Sequence, residues 1–148
     1  MVTISTDDAL LDVDRIHRWL SQDAYWSLGR SRVTVEQSLR HSVNVGAYDE
    51  GPAGPVQVGF LRIVTDRATF AWVCDVYVDP AARGKGVGTA LLVEADRILG
   101  EYGVRRALLA TADAHGLYAR FGFLPLGEPG RWLARSYEPA PGLTPEEG

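Results

Sequence analysis

Apolar residues recur at helical spacing in four parts of the chain. The first run extends from Val13 to Ala24 and follows Asp12, which can act as an N-cap. A second begins where Thr34 is followed three positions later by Gln37, the form of a capping box. These patterns predict helices at about residues 12–26, 34–42, 87–99 and 113–121.

Seven shorter apolar or alternating segments have the pattern of β-strands. They cover residues 2–5, 43–48, 56–64, 70–78, 106–111, 123–126 and 132–137. The tight connection TDRAT predicts that strands 56–64 and 70–78 form an antiparallel hairpin, and later strands alternate with helices. We therefore expect an α/β (α+β) fold with a mixed sheet of six or seven strands and helices on both faces.

Length and composition restrict the class of protein. The 148 residues predict one domain at 1–138, followed by a tail at 139–148 whose composition predicts disorder. The net charge of -4 gives no general attraction to nucleic acid or an anionic membrane. The single Cys74 excludes an internal disulfide, and no spacing of His, Asp and Glu supports a metal site. No segment resembles a signal peptide or a membrane span, so we expect a cytoplasmic protein.

The segment VYVDPAARGKGVGTALL, residues 76–92, joins a strand to a helix through a loop rich in glycine. A helix N-terminus presents unpaired N–H groups and about half a positive charge. Glycines in the loop let the backbone approach a ligand closely, and Arg83 and Lys85 add full charges. The loop therefore suits a phosphate or pyrophosphate. The alternative is a plain turn with two solvated cations.

Two common nucleotide motifs do not fit this loop. A Walker A loop requires Gly-Lys followed by Ser or Thr, and that sequence does not occur in the chain. A dinucleotide-binding fingerprint requires Gly or Ala where Thr89 or Leu91 stands. The strand predicted at 106–111 also ends without the acidic residue that binds the ribose. Both nucleotide interpretations are therefore rejected.

Two motifs resemble those of a known family. The pattern Arg83-x-x-Gly86-x-Gly88 resembles the acyl-coenzyme A pyrophosphate loop of the GNAT N-acetyltransferase superfamily. The segment AHGLYARFGF, residues 114–123, resembles that family's A-x-x-L-Y-x-x-x-G-F motif at the family's separation. The order of elements also matches, so the resemblance covers nearly the whole chain. It implies a mostly antiparallel sheet, splayed between the fourth and fifth strands, and acetyl-coenzyme A as the donor.

The resemblance also implies which residues hold the coenzyme. The pantetheine arm would enter the splayed gap, where the backbone of Val76 and Val78 would bond the acetyl carbonyl and the pantetheine amides. Thr111 stands where many relatives have an asparagine that contacts the coenzyme, and threonine can donate a similar hydrogen bond. The residues expected at the pyrophosphate are Arg83, Gly84, Lys85, Gly86, Val87, Gly88 and Thr89.

Tyr118 matches the family's usual general acid, which protonates the departing coenzyme A thiolate. A thiol has a pKa of about 8.5 and a phenol about 10, so the phenol still carries a proton at pH 7. The alternative is that Tyr118 packs on the sheet with its hydroxyl only solvated.

Asp75 is the candidate for the base that the amine requires. A lysine-like amine with a pKa of about 10.4 is neutral about once in 2,500 molecules at pH 7. Asp75 interrupts an apolar strand, on the face opposite Val76 and Val78, where a carboxylate needs a partner or a function. It resembles the second member of a Glu-Asp pair in some polyamine acetyltransferases of the family, although Cys74 replaces the first member. Alternatively, Asp75 pairs with an arginine such as Arg62 or caps a loop.

Four residues are candidates for the acceptor pocket, which this family builds partly from the junction of the first two helices: Tyr25, Trp26, Arg30 and Trp72. Aromatic residues together with acids would favour a cationic amine, whereas an arginine would favour an acceptor with a carboxylate. Alternatively, the aromatic residues only close the core.

We predict direct transfer to a primary amine of a small metabolite in a ternary complex, by a monomer or homodimer. The alternatives are a protein N-terminus or lysine as acceptor, and an acyl-coenzyme A sensor without chemistry.

Overall fold

The computed structural model describes residues 1–137, and the predicted tail at 139–148 lies outside the described residues. One five-stranded sheet forms the centre, with its strands in chain order. Neighbours are antiparallel from the first strand to the fourth, and the fifth runs parallel to the fourth. The strands are β1 (Thr3–Ser5), β2 (Val43–Gly51), β3 (Gly54–Thr65), β4 (Phe70–Val78) and β5 (Arg106–Leu108). The mixed, mostly antiparallel sheet is confirmed.

The α-helices of the described residues are α1 (Val13–Arg18), α2 (Arg32–Arg40), α3 (Val87–Tyr102) and α4 (His115–Ala119). Asp12 caps α1 as predicted, because its carboxylate accepts a hydrogen bond from the N–H of Arg15. The first helix then continues as a π-helical turn, Trp19–Asp23, and ends before the predicted residue 26. Within residues 1–137, no helix is long and apolar enough to cross a membrane.

Each face of the sheet has its own hydrophobic core. On one face, α3 packs on the sheet, and Leu61 and Leu91 are fully buried there. On the other face, α1 and α2 cover Phe60 and bury Ile16 and Val35. Neighbouring residues of a strand point to opposite faces, so Phe60 and Leu61 of β3 contribute one side chain to each core. The prediction of helices on both faces is confirmed.

The expected six or seven strands are too many for the residues that the structure describes. Residues 123–126 and 132–137 form no strand there. Leu124, Leu126 and Leu133 are exposed, so the apolar pattern of these segments does not correspond to a buried sheet face. β5 is also shorter than the predicted 106–111, because its pairing with β4 ends at Leu108.

Helix boundaries differ from the predictions where a different residue supplies the cap. α2 begins at Arg32 because Ser31 is its N-cap, with the Ser31 hydroxyl accepting from the N–H of Thr34. α3 passes through Gly100 and ends at Tyr102, and its C-cap Gly103 has a φ of 68°, the left-handed conformation typical of a helix end. α4 is shorter than the predicted 113–121.

Candidate active site

β4 and β5 pair over three residues each and then part. The last pair is Trp72 opposite Leu108. A cavity of about 910 Å³ opens at the gap, lined by residues 72–78 on one side and by 109–114, including Thr111, on the other. Pockets of about this size can enclose most of a drug-sized ligand. The splay expected between the fourth and fifth strands is therefore present.

A β-bulge changes the course of β4 at Asp75. The register between β3 and β4 shifts here, and Asp75 has a φ of 53°, a left-handed conformation that is uncommon for any residue with a side chain. Beyond the bulge, Val76 and Val78 pack against the core under α3, whereas Tyr77 packs against the core under α1 and α2. Val76 and Val78 also line the cavity, where the pantetheine arm was predicted to lie.

The carboxylate of Asp75 is buried and shared among three donors. Arg30 Nη1 donates to Oδ2 at 2.7 Å, Arg62 Nε donates to the same oxygen at 3.0 Å, and Trp26 Nε1 donates to Oδ1 at 3.0 Å. Burial alone would raise the pKa of Asp75, but Arg62 and Arg30, with the hydrogen bonds, hold that pKa below its usual range. The pairing with Arg62 that the sequence left as an alternative is present.

Two glycines of the loop have left-handed backbone conformations and open space beside them. Gly84 and Gly86 have φ of 77° and 80°, where residues with a side chain are strained. A Cβ built on either glycine would meet no atom within 4 Å, so the space beside the backbone is open. Gly86 is the N-cap of α3 and makes no side-chain cap, which leaves the first N–H groups available to an anion. A second cavity of about 200 Å³ adjoins the loop, with Val87 and Thr89 in its lining.

Of the two cations in the loop, Arg83 lines both cavities and Lys85 lines neither. Arg83 Nε donates to the carbonyl of Val78 at 3.0 Å, and Arg83 Nη2 lies 3.4 Å from Asp23 Oδ2. Lys85 is exposed. Arg83 therefore stands between the glycine loop and the strand end that was predicted to hold the pantetheine arm.

Tyr118 lies on α4 and lines the cavity with only 8% of its surface exposed. Its ring packs edge-on against Phe123, with the ring centroids 6.3 Å apart. Burial, together with the nearby Tyr25 and Asp113, raises the pKa of Tyr118 above the ordinary phenol value. The phenol therefore keeps its proton at neutral pH, as a general acid requires.

The four acceptor candidates from the sequence all line this cavity: Tyr25, Trp26, Arg30 and Trp72. Tyr25 and Trp26 meet edge to face with centroids 5.0 Å apart. The hydroxyl of Tyr25 accepts a hydrogen bond from the N–H of Ala112, so it connects the α1–α2 junction to the opposite wall. No group of three or more His, Cys, Asp or Glu residues within 1–137 could hold a metal ion.

Sequence reasoning did not identify two residues of this region. Asp23 lines the cavity and accepts a short hydrogen bond from the hydroxyl of Tyr77; burial and this bond raise the pKa of Tyr77 to about 12. Arg120 Nη2 lies 3.5 Å from Thr89 Oγ1, beside the glycine loop. Arg120 follows Tyr118 by two positions in the second motif, and that position was the available signal. Asp23 has no comparable signal.

Comparison with known proteins agrees with this geometry. Residues 13–123 match the model of the GNAT family of acetyltransferases. A protein of Gibberella zeae that is assigned to the acetyltransferases is 33% identical to this chain over 133 residues. The match covers 79% of this chain and 75% of that protein.

Solved structures share the fold. A protein of Xanthomonas campestris pv. campestris assigned to the GNAT acetyltransferases is 43% identical, with a TM-score of 0.84 over 93% of this chain and 94% of that one. An aminoglycoside 6'-N-acetyltransferase in complex with coenzyme A has a TM-score of 0.61, at 21% identity over 74% of this chain and 61% of its own. The open glycine loop and the splayed strands fit coenzyme A. This chain therefore belongs to the GNAT acetyltransferases, which use acetyl-coenzyme A.

Proposed function

We propose that this protein transfers an acetyl group from acetyl-coenzyme A to the primary amine of a small metabolite. The observation that carries the proposal is one cavity that extends along β4 from Val78 beside the glycine loop to Trp72. At about 3.3 Å per residue, this part of the strand is roughly 15–20 Å long, enough for a pantetheine arm and a small acceptor. Bound acetyl-coenzyme A supplies a thioester that the amine attacks directly, in a ternary complex.

The chain's contribution to coenzyme binding is mainly backbone. The space beside Gly84 and Gly86 is open at the N-terminus of α3, and the N–H groups between Gly84 and Thr89 bind the diphosphate in this proposal. Val76 and Val78 offer their backbone groups at the gap, beyond the last pair between β4 and β5. Arg83 lies where it can leave the carbonyl of Val78 and turn to the phosphates.

Tyr118 is the proposed general acid. It lines the cavity and its pKa is raised, so it holds a proton for the coenzyme sulfur throughout the neutral range. As the amine nitrogen bonds to the acetyl carbon and the carbon–sulfur bond breaks, that proton passes to sulfur. The nitrogen loses a proton to solvent as the amide forms, and solvent returns a proton to Tyr118. General acid catalysis of this kind contributes about 10²–10⁴-fold to a rate.

The amine has to lose a proton before it attacks. Asp75 was predicted as the base, but its two oxygens already accept hydrogen bonds and its lowered pKa makes it a weak base. We assign Asp75 the positioning of Arg30 and Arg62; its role as a base stays a prediction. Without a dedicated base, the α-amine of a peptide costs about 1 kcal/mol to deprotonate at pH 7, and a lysine-like amine about 4.6 kcal/mol.

The proposal is tested by coenzyme A release from acetyl-coenzyme A in the presence of an amine panel. The panel contains amino acids, aliphatic monoamines and diamines, and short peptides with free or blocked N-termini. We expect small amines to raise thiol release at least about tenfold over background, with the N-acetylated product seen by mass spectrometry. Acetylation of peptides alone would instead support a protein acceptor. Tight coenzyme binding without release, across the whole panel, would support the sensor.

A further inference from the structure

The carboxylate of Asp23 is fixed in the cavity by a residue of β4. Asp23 is the last residue of the π-helical turn, and its side chain is 55% exposed and lines the cavity. The hydroxyl of Tyr77 donates a hydrogen bond to Asp23 Oδ2. Tyr77 lies between Val76 and Val78, which were predicted to hold the thioester carbonyl and the pantetheine amides. The carboxylate is therefore tied to the part of β4 beside which the acetyl group would be transferred.

Both described contacts of this carboxylate use the same oxygen. Tyr77 donates to Oδ2 and Arg83 Nη2 lies 3.4 Å from Oδ2, whereas within residues 1–137 Oδ1 makes no hydrogen bond. Tyr77 is only 5% exposed, and its ring packs against Trp19 with the centroids 5.2 Å apart. Its pKa of about 12, raised by burial and by the bond to Asp23, keeps the phenol a donor. Oδ1 is therefore held in place and available to a ligand.

Arg83 does not hold this carboxylate firmly. The side chain of Arg83 is 54% exposed, and ion pairs between exposed groups are weak. In the proposed function, Arg83 turns to the phosphates of the coenzyme, which arginine binds strongly. Arg83 therefore leaves Asp23 when the coenzyme is bound, and Tyr77 remains as the donor that positions the carboxylate.

The other two acids that line the cavity are less suitable for binding a ligand. Both oxygens of Asp75 already accept hydrogen bonds from buried or partly buried side chains. Asp113 is exposed, and no donor within residues 1–137 forms a hydrogen bond to its side chain, so nothing described there fixes its position. Asp23 alone of these three acids combines a fixed carboxylate with an unused oxygen.

We propose that Asp23 binds the amino group of the acceptor in its protonated form, so that the preferred acceptors are amines that are cationic at neutral pH. The inference rests on the proposed function, which places the thioester beside Val76. The ammonium group donates a charge-assisted hydrogen bond to Oδ1 and is thereby held next to the thioester. The nitrogen has to lose one proton before it attacks. Because Asp23 is more than half exposed, solvent can take that proton.

The first test compares ethylamine with methoxyamine, in which an oxygen replaces the methylene group next to nitrogen. The two molecules have nearly the same size, but at pH 7 ethylamine is cationic and methoxyamine is neutral. The informative quantity is the ethylamine-to-methoxyamine ratio of kcat/KM, measured by thiol release. We expect Asp23→Asn to lower this ratio about tenfold, mainly through the KM of ethylamine, because a hydrogen bond between two charged groups is lost.

Two further variants control this experiment. Asp23→Glu keeps the charge and should retain part of the ratio. Asp96→Asn changes an exposed acid of α3 that lines neither cavity, so it should leave the ratio unchanged. If Asp23 only supported the structure, Asp23→Asn would affect both amines alike, and the constant ratio would overturn the inference. A ratio that falls in Asp113→Asn but not in Asp23→Asn would also overturn it.

A second test needs no turnover, because coenzyme A replaces acetyl-coenzyme A. Trp19 packs against Tyr77, so the tryptophan fluorescence of the coenzyme A complex should respond to ethylamine but not to methoxyamine, at pH 7 and constant ionic strength. The response should be lost in Asp23→Asn, and equal responses to both amines would overturn the inference. If ethylamine binds through Asp23 but no amine is acetylated, the ammonium site stands and the proposed function fails. If amines are acetylated and Asp23→Asn leaves the ratio unchanged, only the inference fails.

Discussion

The two ends of the cavity are built in different ways. At the coenzyme end, the consecutive residues 83–89 present backbone groups in a conformation that glycine permits. At the acceptor end, Trp26, Arg30 and Arg62 converge on Asp75 from positions 49, 45 and 13 residues away in the sequence. One end is local and made of main chain, and the other is long-range and made of side chains.

This difference has consequences for the effects of mutation. The space beside Gly84 and Gly86 is open, so changes at these two glycines remove no packing and should alter ligand binding more than folding. A buried carboxylate with three donors is part of the protein interior, so changes there should alter folding as well as acceptor use. The predictions below test this separation, beginning with the largest effect.

Gly86→Asp should abolish coenzyme binding. The new carboxylate would stand at the N-cap of α3, against the phosphates, and aspartate is strained at a φ of 80°. We expect a loss of at least about 100-fold in coenzyme A affinity by calorimetry, which corresponds to about 2.7 kcal/mol.

Two variants separate charge from strain in this experiment. Gly86→Asn has the same size and no charge, so it should retain measurable binding. Gly103→Asp places the same side chain at the other end of α3, at a φ of 68° and also in open space, so it should bind coenzyme A normally. Normal binding by Gly86→Asp would remove the main support for the loop as the diphosphate site.

Tyr118→Phe should separate chemistry from binding within the cavity. The change removes the phenolic proton but keeps the ring that packs on Phe123, so coenzyme affinity should change little. We expect kcat to fall about 10²–10⁴-fold, measured by thiol release under saturating substrates. Because the pKa of Tyr118 is raised, this residue should cause no alkaline loss of activity below about pH 10.

Tyr102→Phe is the matched control, since Tyr102 lies on α3 and lines neither cavity. It should have wild-type kcat and coenzyme affinity. Equal loss of turnover and coenzyme affinity in Tyr118→Phe would indicate that the hydroxyl supports the pocket rather than the reaction.

Much of the fold could be predicted because the signals are local. Alternation and helical spacing identified the four helices and the strands β1 to β5, and the carboxylate at position 12 marked the start of α1. The wrongly predicted strands lie where the alternating pattern alone does not decide the structure, because a strand also needs a neighbouring strand to pair with. Segments 123–126 and 132–137 have strand-like alternation, but their exposed leucines find no sheet face in the described structure.

The site divides in the same way. The glycine loop is contiguous, so its residue types were enough to predict an anion site before any geometry was known. The full set of partners of Asp75 could not be predicted from local patterns. A bulge with a φ of 53° and a buried arginine from the α1–α2 junction leave no such pattern. Arg62 was named only as one alternative partner, and Asp23 was missed because nothing near it in sequence marks it as part of the cavity.

Asp75→Asn should affect stability rather than coenzyme binding, and it tests the acceptor end most directly. The change leaves Arg30 and Arg62 without their shared charge while preserving the shape of the side chain. We expect the free energy of unfolding to fall by about 2–3 kcal/mol in urea titrations, below the usual loss for a broken buried pair because Arg62 remains partly exposed. Coenzyme A affinity should change little. Asp14→Asn, which loses an exposed pairing with Arg32, should have little effect on stability.

The stabilisation by Asp75 should depend on pH in a definite direction. Asp75 has a lowered pKa in the folded protein, so the unfolded chain binds its proton more readily as the pH falls. The stabilisation by Asp75 is complete well above the unfolded pKa of about 3.9, and it is lost as the pH falls through that value toward the folded pKa. The stability difference between wild type and Asp75→Asn should therefore be constant from about pH 6 to 8 and shrink below about pH 4. A difference that grows in acid would mean that the carboxylate is protonated in the folded protein, which would contradict its pairing with the two arginines.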